Sequence, residues 1–148
     1  MARLKLELPE FTLFQTCVEV RVTDLNYGNH LANQALLGLL HEARLRWLRQ
    51  FGFRDEQQVG DCGLIMSDAA VVFLREAFLG EVLTIELRRG ECTRTGFDLY
   101  YLVTTGQDRQ SVAQAKTFMT CFDYSTRRVK AIPPELHLAL QNKTVSAA

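Results

Sequence analysis

Between Thr23 and Arg44 the chain reads TDLNYGNHLANQALLGLLHEAR. Asp24, Asn26, Gly28, Asn29 and His30 crowd a polar stretch, Asn33 follows, and the chain then runs into leucines. Asp24 falls where a strand gives way to a loop, shortly before a helix. The free N–H groups of the first helical turn, near His30 and Leu31, carry a partial positive charge and can bind a carbonyl oxygen that is becoming negative. A carboxylate facing such a site can hydrolyse an activated acyl group, with Asp24 either attacking it or positioning a water. The same residues have structural uses. Aspartate favours turns and helix caps, Asn33 can bond the loop or cap the first turn, and a lone histidine such as His30 serves structure as readily as it serves as ligand or base. His41 and Glu42 read as a partly exposed polar stripe on the third turn. His30, His41 and Glu42 lack HExxH-like spacing and His137 belongs to the tail, so neither a metal nor another cofactor is expected.

These groups need elements to position them. Leu13 to Val22 alternates, with Phe14, Thr16, Val18, Val20 and Val22 on one side, and reads as a strand with one face on the core. Leu31 to Phe51 has helical spacing through Leu36, Leu37, Leu39, Leu40, Ala43, Trp47 and Leu48. Its first three turns carry almost no charge and read as buried on most sides. Its end, with Arg44, Arg46 and Arg49, reads as exposed, and Gly52 reads as the cap. Strands follow over Gly63 to Arg75, Glu81 to Arg89, Glu91 to Thr105 and Ser111 to Tyr124, the last two joined by a hairpin loop from Gly106 to Arg109. A short helix is expected over Glu135 to Leu140. One early helix followed by hairpin-linked strands argues for α+β, with an antiparallel sheet wrapped round the helix in a single domain.

The chain has 148 residues, enough to bury a real core. Apolar residues make up 47% and charged ones 23%, which argues against disorder. Lysine plus arginine balances aspartate plus glutamate at 17 each, so no general field favours nucleic acid. The start, MARLKLELPEF, has no secretory pattern and no apolar run spans a bilayer, giving a cytoplasmic reading without membrane association. Cys17, Cys62, Cys92 and Cys121 are too widely spaced for a metal knuckle or redox motif and read as reduced thiols.

The run Asp24, Leu25, Asn26, Gly28, Asn29, His30, Leu31, Ala32, Asn33 resembles the D-x-D-x-x-G-H-x-N-N signature of hot-dog-fold thioesterases, in the 4-hydroxybenzoyl-CoA and acyl-ACP thioesterase group. HEAR at His41 to Arg44 is similar to the family's E-x-A-R ending, and LREAFLGEVLTIEL (Leu74 to Leu87) to its strand, turn and strand. The resemblance covers roughly residues 13 to 140. It implies a curved antiparallel sheet of about five strands around one long helix, dimers whose sheets join edge to edge and can pair into tetramers, and active sites at the dimer interface. Carried over, Asp24 falls on the catalytic carboxylate, His30 on the histidine beside the helix N-terminus whose main-chain N–H groups polarise the thioester, and Asn33 on the second asparagine. Asn26, Asn29, Ala32 and His41 depart from the pattern.

The activity implied is hydrolysis of an acyl-CoA or acyl-carrier-protein thioester, with coenzyme A entering as substrate. Arg88, Arg89, Arg94, Arg127, Arg128 and Lys130 are candidates to meet its phosphates. Two rivals stand beside this reading. An enoyl-CoA hydratase of the same fold has the motif D-x-N-P-x-H, whose opening Asp24-Leu25-Asn26 fits while His30 comes one residue late. A non-catalytic acyl- or partner-binding module would use the loop only to shape a pocket.

Overall fold

The alternation beginning at Leu13 forms β1 (Thr12–Glu19) in the computed structural model, which describes residues 3–143. A register shift against the neighbouring strand Val82–Cys92 lets Leu13 and Phe14 both enter the core. The strand stops at Glu19, short of the expected Val22. Val20 still exchanges main-chain bonds with Gly80 and Glu81, but Val22–Asp24 then coils into a single 3-10 turn. That turn is closed reciprocally: the Asp24 N–H donates to Arg21 O and the Arg21 N–H to Asp24 Oδ2, each at 2.9 Å.

Helix α1 (Asn33–Arg49) begins two residues later than its leucine spacing suggests. Leu31 is held in a bridge to Leu25, and the Ala32 backbone is extended, at φ −70° and ψ 144°, so neither can join the first turn. Leu36, Leu39, Leu40, Ala43, Trp47 and Leu48 face the core. Leu37 is 38% exposed, so the helix keeps one open face in the single chain and the expected burial on most sides is corrected. The expected exposure of Arg44 is also corrected: it is 5% exposed, its Nε donating to Glu56 at 2.8 Å and Nη1 to the Tyr101 hydroxyl at 3.1 Å. Arg46 reaches Thr16 Oγ1 and the Cys17 carbonyl, tying the helix to β1. Gly52, at φ 84°, ends the helix as expected.

The remaining strands are β2 (Gly63–Phe73), β3 (Val82–Cys92), β4 (Gly96–Thr105), β5 (Gln110–Asp123) and the two-residue β6 (Arg128–Val129), followed by α2 (Pro134–Gln141). All pairings are antiparallel, in the order β1-β3-β4-β5-β2, with β6 added to β5. The division expected at Gly90 lies instead at Thr93–Thr95. Gly90 is a bulge in a continuing strand, where a Cβ would come within 2.7 Å of Tyr100 and 2.8 Å of Asp98. Trp47 packs edge-on against Phe97 and Phe51 at the centre of the core. The four cysteines are free thiols. An antiparallel sheet wrapped around one long helix is the hot-dog arrangement, of α+β class. No helix among the described residues is long and apolar enough to cross a membrane.

Candidate active site

An open cavity of about 240 Å³ lies at the N-terminus of α1. One wall comes from the entry to the helix: His30, Leu31, Ala32, Asn33 and Leu36. The facing wall is Phe73, Leu74, Arg75, Glu76 and Ala77, at the end of β2 and just beyond it, with Val112 of β5 beneath. Two main-chain contacts clamp the walls together: the Leu31 N–H donates to Ala77 O at 2.8 Å, and His30 bridges to Phe78.

These contacts change which amides are free. The Leu31 N–H, expected to face substrate, is spent on Ala77, and the Ala32 N–H is spent on Asp24 O at 2.9 Å. The unspent donors therefore begin at Asn33. No side chain caps the helix, and the N–H groups of Asn33, Gln34 and Ala35 have no acceptor among the described residues. Uncapped donors of a first turn are where a developing oxyanion is best met.

His30 is one-third exposed or less, at 29% of its side chain, with Nδ1 3.4 Å from the Leu31 carbonyl and Nε2 3.7 Å from Glu76 Oε1. Asn26 holds the loop in shape: its N–H donates to His30 O, and its Oδ1 accepts the Gly28 N–H at 2.9 Å. Asn29 adopts φ 61°, a left-handed conformation that asparagine tolerates, which accounts for its presence in the turn.

Asp24 stands differently. Its side chain is 7% exposed and does not line the cavity. Arg21 donates through Nε to Oδ2 and through Nη2 to Oδ1, both at 3.2 Å. Burial pushes the Asp24 carboxyl up, but the Arg21 hydrogen bonds and charge outweigh it and hold the group below the ordinary aspartate value. The guanidinium is mostly exposed and lines a separate groove with Gly38, Glu42 and Arg46. The Arg21–Asp24 spacing of three, followed by a helix, was the signal for this closure.

None of the six cations considered for phosphate lines the cavity. Arg88 donates to Glu86 and the Pro9 carbonyl, Arg89 to the Leu140 carbonyl, and Lys130 to the Asp61 carbonyl. Arg75 and Glu76, which do line it, fell within the LREAFLGEVLTIEL run, at or just past the expected end of a strand, and were given no role there. His41 and Glu42 sit away from the cavity, His41 beside Glu56 at 3.6 Å and Glu42 paired with Arg46 at 2.9 Å. His137 lies on α2.

Comparison with known proteins places this geometry. Long-chain acyl-CoA thioesterase FadM of Escherichia coli K12 is 25% identical over 127 residues, covering 86% of this chain and 96% of that protein. The crystal structure of a 1,4-dihydroxy-2-naphthoyl-CoA thioesterase from Synechocystis superposes with a TM-score of 0.79 at 23% identity, covering 87% of this chain and 96% of that one. A Staphylococcus aureus protein solved in complex with CoA superposes with a TM-score of 0.77 at 16% identity, covering 95% and 90%. A family model described as the thioesterase-like superfamily matches residues 20–140, and the chain belongs to that superfamily.

Proposed function

We propose that this protein hydrolyses an acyl-CoA or acyl-carrier-protein thioester to the free acid and a thiol. The observation that carries the reading is the uncapped start of α1 opening into a largely apolar cavity, in a chain of this superfamily. The thioester carbonyl would lie against the N–H groups of Asn33, Gln34 and Ala35, with His30, Leu31 and Asn33 lining its approach. Charge that develops on the oxygen in the transition state gains from donors already in place. The acyl group would run along Leu36, Phe73, Leu74 and Val112.

Asp24 is the proposed nucleophile or general base. What supports it is its place at the helix entry, fixed through its own carbonyl to Ala32, and a carboxyl held in the ionised form at neutral pH. Arg21 must release it for the reaction, and an exposed guanidinium can swing into water at little cost. β2 is an end strand whose stretch from Met66 to Ala69 is exposed, so a cytosolic dimer joined along that edge, and its further pairing into a tetramer, belong to the same proposal.

One observation favours the second reading, a non-catalytic acyl-binding module: both oxygens of Asp24 are engaged by Arg21 and neither reaches the cavity wall. The hydratase reading lacks such support, because its chemistry needs an aspartate and histidine on one water and only His30 lines the cavity. Asp24→Asn decides between hydrolase and binder. Loss of a positioned base or nucleophile lowers kcat/KM for acyl-CoA by about a hundredfold or more. An unchanged rate removes Asp24 from the chemistry.

A further inference from the structure

We propose that Glu76 is a positioning residue that holds His30 as the proton donor to the leaving thiolate. The proposal rests on the hydrolase reading above. Glu76 and His30 come from separate segments, brought together by the Leu31–Ala77 hydrogen bond and the His30–Phe78 bridge that flank them. With Nδ1 turned to the Leu31 carbonyl, Nε2 is the nitrogen that faces Glu76, and both residues line the cavity. At 3.7 Å the carboxylate is beyond ordinary hydrogen-bond length, so it orients the ring without consuming the Nε2 proton. Arg75 is the other charged group lining the cavity.

In the step assigned, the oxyanion of the tetrahedral intermediate re-forms the C=O bond as the C–S bond breaks, the C–S electron pair stays on sulfur, and sulfur takes the Nε2 proton. The ring recovers a proton from solvent, to which it is open. An alkyl thiol titrates near 8.5, so at neutral pH its thiolate accepts that proton, whereas an aryl thiolate leaves without one.

The test compares an acyl-CoA ester with an aryl thioester of the same acyl group, using wild type, Glu76→Gln, Glu76→Asp and His30→Gln. Glu76 is mostly exposed, so its variants fold. Glu76→Gln is expected to lower kcat on acyl-CoA about tenfold with little change in KM, Glu76→Asp to restore part of it, and His30→Gln to lower it further. With the aryl ester wild type, Glu76→Gln and Glu76→Asp turn over alike. Equal losses on both esters, or an undiminished Glu76→Gln rate on acyl-CoA, overturn the proposal while leaving the hydrolase reading intact. A wild type that cleaves neither ester overturns the hydrolase reading and the proton donation together.

Discussion

Replacing Arg44 by methionine tests how the helix carrying the candidate site is anchored. Methionine keeps most of the aliphatic length and removes only the guanidinium. That group has a 6% exposed side chain, and its partner Glu56 is 15% exposed, so the pair is screened poorly by water. Breaking a buried pair by deleting one partner costs about 3–5 kcal/mol, because the other charge stays buried. Two features of the structure put Arg44→Met at the lower end, about 3 kcal/mol. Glu56 retains His41 at 3.6 Å, and the Tyr101 hydroxyl retains Thr117 Oγ1 at 2.7 Å. Urea unfolding followed by both fluorescence and circular dichroism reads the change. The double variant Arg44→Met with Glu56→Gln is expected to be destabilised by clearly less than the sum of the single variants, with a coupling of about 2 kcal/mol. A single-variant cost under about 0.5 kcal/mol, or strict additivity, refutes a buried, mutually dependent pair.

Acid is expected to erode stability. The Asp24 and Glu86 carboxyls are pushed up by burial but held low on balance, Asp24 by Arg21 and Glu86 by Thr12 and Arg88, and Asp123, bonded by Ser125, lies at about 2. Groups with lowered folded values stabilise above their unfolded values near 4 and lose that contribution as pH falls toward about 2, so a flat urea midpoint over that window contradicts the pairing. Arg21→Ala removes what outweighs burial at Asp24, so the acid limb of kcat/KM moves to higher pH; an unmoved limb separates Asp24 from turnover. Gly90→Ala forces a methyl against Tyr100 and Asp98 and is expected to cost about 1–3 kcal/mol in chemical denaturation, whereas no loss means that the strands part easily there.

The sequence was most legible where periodicity was strong. Phe14 and Thr16 in β1, the leucines and Trp47 of α1, and the turn at Gly106 to Arg109 all announced their elements, because side-chain alternation and helical spacing follow directly from the burial they serve. Arg44 was misjudged because composition cannot show that Glu56, across the following connection, and Tyr101, far off in the chain, will surround a charge. Gly90 fell between two expected strands and proved to be a close strand contact, a distinction only the partner strand makes. β6 was too short to carry a period. At the site, His30, Leu31 and Asn33 line the cavity, yet the Leu31 N–H is lost to Ala77 and Asp24 is bound by Arg21, since hydrogen-bond partners outside the motif decide both. Arg75 and Glu76 were missed because the opposite wall of a cavity need follow no local pattern.

Release of free thiol from a panel of acyl-CoA esters is the most direct measure of the central claim. The wild-type chain, without added metal or redox cofactor, is predicted to liberate thiol and acid from at least one ester at a rate that Asp24→Asn abolishes or lowers about a hundredfold. Thiol release from none of them, or hydration of an unsaturated acyl-CoA without thiol release, would contradict it.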